Sequence, residues 1–356
     1  MRIVSSRVTR VGGTAASPVG IASAPHSQRE GLVLVLTSDT GREGTGEASP
    51  LPGYSPDTID DAAAALLLHP ERAQRVEGLS DVAKVSSSIT SPSARFAIET
   101  AMLDLLAQES GVPVHRLFRE TSPAPIPRSA LLPPPCDART ISAAQDAISR
   151  GIRTLKLKLG SRPFADELAA LVALRAAIGD AIELRLDANG GMGEHAAERL
   201  RTLAAVRPAF VEEPLSGRAL LRLLPGAVAV AADESLADPQ IADALLAHPG
   251  LGAVVVKPAL LGFFRAREIA VTAQRRGLPV VVTHLFDGPI ALAACVELAL
   301  SLPQTPAACG LDLHAALAAF PAREIPQLHD PASFAAAAGS GLCLSAAHQE
   351  AIAWRT

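Results

Sequence analysis

Arg153-Thr-Leu-Lys-Leu-Lys-Leu-Gly160 decides how the chain is read. At period two, Thr154, Lys156 and Lys158 share one face and Leu155, Leu157 and Leu159 the other. The bland reading is an edge strand with a solvated charged face. Lysines on the inner side of an apolar strand would instead be desolvated, which lowers the ammonium pKa and makes a base at neutral pH. The downstream sequence decides between the two: carboxylates recur at the ends of apolar segments, and then comes one more lysine. The ends in order are Lys156 and Lys158, Asp187 and Asn189, Glu212 and Glu213, Asp233 and Glu234, then Lys257.

From about Ile126 apolar strands alternate with amphipathic or Ala/Leu-rich helices. The strands are expected at 126–132, 154–159, 183–189, 209–214, 228–235, 253–258, 279–284 and 309–313. Eight strands at this spacing predict a (β/α)8-type barrel, a modified TIM barrel. An open doubly wound sheet would need a G-x-G-x-x-G or a P-loop, and neither is present. Residues 1–120 read as an α+β capping domain, 121–318 as the barrel and 319–356 as a C-terminal segment folding back on the cap. In the cap, strands are expected at 31–37 and 44–48 around the turn Ser38-Asp-Thr-Gly41. Helices are expected from the acidic turn at Asp57, Asp60 and Asp61 to about Leu68, and over 93–107 with Phe96, Met102, Leu103 and Leu106 on one side. The Gly/Ala/Ser/Pro-rich segment 12–28 reads as a loop.

The 356 residues are 49% apolar and 3% aromatic, so the core is built from Ala, Leu, Val and Ile. A net charge of −4 and a pI near 6.2 leave no basic footprint for nucleic acid. No apolar run is long enough to span a bilayer, and the N-terminus lacks a signal-peptide pattern. Cys136, Cys295, Cys309 and Cys343 lack metal or disulfide spacing, read as small core residues, and fit a reducing, cytoplasmic setting. The expected partner is a small-molecule carboxylate, and homo-oligomerisation stays open.

One acid after a strand is usually a helix N-cap. Three on consecutive strands, flanked by lysines, point instead to hard oxygen donors for Mg2+ or Mn2+. Such a site suits removal of a proton next to a carboxylate. The lysines would have to be partly neutral to serve it. Alternation lets only one of Glu212 and Glu213 face inward, and spacing alone does not choose.

The series Lys-x-Lys, Asp-x-Asn, Glu-Glu-Pro, Asp-Glu-Ser and Lys-Pro resembles the enolase superfamily, muconate-lactonizing subgroup, across essentially the whole chain; a Lys or His base with magnesium is typical there. The resemblance implies Asp187, Glu212 and Asp233 as metal ligands and Lys158 as the main base. It makes Lys156 the electrostatic neighbour of that base, Lys257 the residue on the opposite face, and Asn189 and Glu234 the support behind the ligands. Mandelate-racemase relatives place a histidine on strand seven with an aspartate on strand six. Here strand six carries Lys257, so His284 is not expected to be that base.

Within the subgroup, Gly46-Glu-Ala-Ser-Pro-Leu-Pro-Gly-Tyr-Ser55, and Val256-Lys-Pro-Ala-Leu-Leu-Gly262 with Gly310-Leu-Asp-Leu313, resemble o-succinylbenzoate synthases. That implies a lyase of menaquinone biosynthesis eliminating water from 2-succinyl-6-hydroxy-2,4-cyclohexadiene-1-carboxylate. Thr283-His-Leu-Phe-Asp287 departs from the small, serine-rich sequence usual there. A racemase or epimerase of N-acylamino acids or dipeptides is the alternative, although Asp312-Leu-His314 stands where dipeptide epimerases carry Asp-x-Asp. A non-catalytic binding barrel, the alternative of another class, would have no reason to keep all five ionisable motifs. Thr283, His284 and Gly310 are candidate substrate contacts, with His284 first a satisfied structural histidine and Asp287 first a turn residue. Arg29 and Tyr54 are candidate pocket residues.

Overall fold

A computed structural model describes residues 1–21, 24–68, 75–135, 138–223 and 225–344. Cys136 and the tail beyond Leu344 lie outside them. The cap opens with an antiparallel three-stranded sheet of β1 (Ile3–Ile21), β2 (Ala24–Ser38) and β3 (Glu43–Ala48). Helices α1 (Ile59–Leu68), α2 (Leu79–Ser86) and α3 (Pro92–Glu109) cover it. Thr58 and Asp61 start α1 with reciprocal side-chain to backbone bonds. Ser91 caps α3 through Ala94 N–H, with Pro92 in the first turn.

The segment 12–28, expected as a loop, lies instead within the long β1–β2 hairpin, paired from Ile3↔Ser38 to Ile21↔Ala24 with a register shift between Thr14 and Val19. Backbone pairing carries this part of the ladder, where Ala15, Val19 and Arg29 are among the buried side chains. Helix α3 is also buried more widely than a single stripe. Phe96 and Leu103 join the barrel-side core while Met102 and Leu106 join the cap core, so α3 is the wall the two cores share. Strand β3 presses on it so closely that a Cβ on Gly46 would come within 1.9 Å of the Ala97 carbonyl oxygen. Glycine is required there for packing, not for backbone freedom.

After β4 (Ile126–Pro127) the barrel strands follow: β5 (Ser129–Leu131), β6 (Thr154–Lys158), β7 (Glu183–Asp187), β8 (Phe210–Glu212), β9 (Val230–Ala232), β10 (Leu251–Val256) and β11 (Val280–Val282). They form one parallel sheet in chain order. Between them run α4 (Ala138–Ser149), α5 (Phe164–Ile178), α6 (Ala196–Leu203), α7 (Pro239–Ala247), α8 (Pro258–Leu261) and α9 (Phe263–Arg275), with α10 (Pro289–Leu300) after β11. The eighth strand expected at 309–313 is reduced to single bridges, Cys309 to Arg128 and Gly310 to Thr283. Ser129 N–H donates to Cys309 O at 2.9 Å and Gly310 N–H to Val282 O at 3.0 Å, which closes the barrel without a ladder on either side. Leu155, Leu157, Leu184, Leu186, Val254 and Val256 pack outward with the helices. Phe210, Ala231, Ala253, Val255 and Val281 form a separate cluster inside. Strand β12 (Ser333–Phe334) pairs with β4. Leu342 N–H then bonds Asp104 of α3, so the C-terminal segment touches the cap.

Candidate active site

Parallel register brings the charged strand ends together. Lys158 pairs with Asp187, and Asp187 with Glu212, at neighbouring C-terminal ends. Carboxylate oxygens of Asp187, Glu212 and Asp233 lie within 4.8 Å of one another, and all three residues are buried. Asn189, at φ 42°, donates its side-chain N–H to Asp187 Oδ1 at 2.7 Å and to Glu234 Oε1 at 3.3 Å. Glu213, also at φ 42°, turns away and accepts from Asp233 N–H at 2.8 Å and from Ser235. That left-handed residue breaks strand alternation and sends the two adjacent glutamates apart. Burial, then Glu234, pushes the Glu213 carboxyl up to about 7.

The three lysines differ. Lys156 Nζ lies 2.9 Å from Asp187 and also bonds Glu212. Burial alone would lower its pKa, but the Asp187 and Glu212 carboxylates raise it. Lys257 pairs with Asp233 and donates to Tyr54 Oη at 2.6 Å. Its burial is likewise outweighed, chiefly by Asp233, and its pKa rises. Lys158 goes the other way: burial outweighs the Asp187 carboxylate, and Lys156 and Lys257 add repulsion. With no cation between them, the carboxylates favour the charged forms of Lys156 and Lys257, while burial favours the neutral form of Lys158.

A cavity of about 580 Å³ opens over this cluster. Lys156, Lys158, Asp187 and Lys257 lie at its charged end, and Tyr54, Thr283, His284 and Gly310 also line it. Arg29 does not. It is buried behind the wall, donating to Ser49 O at 2.8 Å, Pro50 O at 2.9 Å and Phe286 O at 3.2 Å. His284 accepts from Phe286 N–H at 2.9 Å through Nδ1 and stacks on His314 with centroids 4.2 Å apart. Burial, then Lys156, pushes it down to about 3, so the ring is a neutral brace. Asp287 is fully buried and accepts from Leu285 N–H at 2.9 Å.

Sequence reasoning missed Phe286, His314, Ser129 and the hairpin residues Pro18 and Val19, which also line the cavity. The Phe286 ring centroid is 5.9 Å from Lys158 Nζ. None of these carries a charge at a strand end, so the pattern that exposed the lysines could not reach them.

The donor set fits a hard divalent cation: three convergent carboxylates, with buried Asp233 Oδ1 lacking a hydrogen-bond partner among the described residues.

Residues 139–349 match the family "Enolase C-terminal domain-like", and 14–105 match "MenC, N-terminal domain". The chain belongs to the enolase superfamily, and it is an enzyme of that superfamily with o-succinylbenzoate synthase-like sequence. It is 30% identical over 307 residues to o-succinylbenzoate synthase of Klebsiella pneumoniae, covering 84% of this chain and 87% of that protein. It is 26% identical over 319 residues to L-Ala-D/L-Glu epimerase of Bacillus subtilis, covering 85% and 86%. Among solved structures, the dipeptide epimerase of Methylococcus capsulatus complexed with Mg and the dipeptide L-Arg-D-Lys superposes with a TM-score of 0.84 at 26% identity, over 97% of this chain and 99% of that one. Among the described residues, no helix is long and apolar enough to cross a membrane.

Proposed function

We propose that the chain is a carbon–oxygen lyase, an o-succinylbenzoate synthase, acting on 2-succinyl-6-hydroxy-2,4-cyclohexadiene-1-carboxylate in menaquinone biosynthesis. In this reading residues 1–120 cap the site, 121–318 carry it and 319–356 brace the cap. Asp187, Glu212 and Asp233 hold Mg2+, or Mn2+, with Asn189 and Glu234 orienting them. The bound cation would supply Lewis-acid stabilisation of negative charge on the substrate carboxylate.

Lys158 Nζ, the lysine that burial pushes down, takes the proton from the carbon next to the carboxylate. The electron pair left behind expels hydroxide from the adjacent ring carbon, and the ring becomes aromatic. The proton on Lys158 passes to the departing hydroxide on the same face, so water leaves and the amine is restored. Lys257, kept as an ammonium by Asp233 and hydrogen-bonded to Tyr54, presents positive charge from the opposite wall. Lys156 holds the Asp187 and Glu212 carboxylates together.

The observation that carries this is the place of Lys158 at the mouth of the carboxylate cluster with its ammonium disfavoured by burial, while carboxylates favour the charged forms of Lys156 and Lys257, set beside the match of the cap to the MenC N-terminal domain. The test is formation of the aromatic product from the cyclohexadiene acid by purified protein, with Mg2+ and then with a chelator. No product in Mg2+ refutes the reading. A racemase or epimerase is the second reading, favoured by the similarity to the Bacillus subtilis epimerase. It predicts deuterium entering an amino-acid α-carbon with no dehydration of the cyclohexadiene acid.

A further inference from the structure

Lys257 is buried at the charged end of the cavity, and its ammonium has two partners on different domains. One is Asp233, at the end of the neighbouring strand. The other is Tyr54 of the cap, whose Oη accepts at 2.6 Å. The Tyr54 ring centroid is 5.1 Å from Nζ, nearly the sum of that bond and the reach of the ring out to its hydroxyl. The contact is therefore to the oxygen and not to the ring face. Burial, then the Asp233 and Glu234 carboxylates, push the phenol pKa well above its ordinary value, so the oxygen meets the ammonium with its own proton in place.

The cap fixes where that oxygen sits. Tyr54 N–H donates to Leu51 O at 3.1 Å, Ser55 N–H to Leu51 O at 2.9 Å, and Leu51 N–H to Ser55 Oγ at 2.9 Å, which closes residues 51–55 on themselves. The two residues before this turn are tied to the barrel. Arg29 donates to Ser49 O and Pro50 O, and the same guanidinium donates to Phe286 O and Leu285 O in the loop after β11. Of the two partners of Lys257, Asp233 is the one that a cation would engage, which leaves the phenol to hold the amine.

We infer that Tyr54 is a positioning residue: from the docked turn 51–55 of the cap, its hydroxyl holds the Lys257 ammonium in place on the wall opposite Lys158. The inference rests on the proposed role of Lys257 toward the substrate, and it extends that reading to the group that aims the amine. A charge-assisted hydrogen bond from a buried ammonium to a fixed oxygen is both strong and directional.

Binding of o-succinylbenzoate to the full chain loaded with Mg2+ is measured by calorimetry for the wild type, Tyr54→Phe, Lys257→Met and the double variant. Tyr54→Phe removes only the hydroxyl and should weaken binding at least fivefold. With Lys257 already replaced by Met, the same change should alter binding less than twofold, because the phenol acts through the amine. A tyrosine that only packs the wall would act alike in both backgrounds. Unchanged affinity in Tyr54→Phe, equal losses in the two backgrounds, or loss of the fold in Tyr54→Phe overturns the inference. No binding to the wild type overturns it as well, and that outcome needs no variant. Dehydration of the cyclohexadiene acid is read separately. Its absence with the coupling intact would refute the elimination and leave Tyr54 as the holder of Lys257; its presence without the coupling would refute the inference alone.

Discussion

Replacing Lys156 and Lys158 in turn by Met should destabilise the metal-free protein unequally, with Lys156 the costlier loss. Lys156 lies 2.9 Å from Asp187 and also bonds Glu212, and both carboxylates are buried. At an effective dielectric of 20, an ion pair at that distance gains about 6 kcal/mol of Coulomb energy before desolvation. Removing one partner of a buried pair costs roughly 3–5 kcal/mol, because the other charge is left uncompensated. The loss should shrink at acid pH. Burial already raises the Glu212 pKa, and without the lysine it takes up a proton sooner. Lys158 has the opposite balance, since burial outweighs the attraction of Asp187. Its replacement should cost clearly less stability than that of Lys156. Urea unfolding in chelator at pH 8 and pH 5.5 reads both. The reasoning is refuted if Lys156→Met unfolds with the wild type while Lys158→Met loses about 3 kcal/mol, the figure expected for a broken buried pair.

Asp287 tests the loop behind the cavity. Burial pushes its carboxyl up to about 7, far above the ordinary range, so the folded state binds the extra proton between about pH 4 and 7. Stability from this group is therefore fully present below about pH 4 and lost progressively as pH rises to about 7. Asp287→Asn should be more stable than wild type at pH 8 and no more stable at about pH 3.5, in denaturant midpoints at the two pH values. Glu47 tests how the cap is fastened: its buried carboxylate accepts from Gly288 N–H, from Ile290 N–H at 3.1 Å and from Ala291 N–H at 3.3 Å at the start of α10, and from Ser49 Oγ within the cap. Glu47→Ala strands those donors, each costing about 1–3 kcal/mol. The variant should unfold at clearly lower urea and expose the β3–α10 contact to hydrogen exchange; an unchanged midpoint would show that the contact carries no stability.

The barrel and its charged strand ends were legible because both follow from period-two alternation and parallel register: Lys158, Asp187 and Glu212 are adjacent in space because their strands pair end to end. The β1–β2 hairpin was not, since glycine, alanine and serine give a strand few side-chain signals while its backbone pairs as well as any other. Glu212 and Glu213 could not be separated by spacing because the φ of 42° at Glu213 is a property of the folded turn. The charge states of the lysines were also hidden. Burial was inferable from the pattern, but which amine touches a carboxylate depends on side-chain geometry. Tyr54 and Lys257 are 203 residues apart and meet only when the cap docks on the barrel.

Lys158 is the centre of the proposal, and its role is tested most directly by one rate comparison. Conversion of the cyclohexadiene acid to the aromatic product is followed with Mg2+ for the wild type and for Lys158→Ala. A positioned general base contributes about 10²–10⁴-fold, so the variant should lose at least that much in kcat while remaining folded. Turnover of Lys158→Ala within a few-fold of wild type would contradict it.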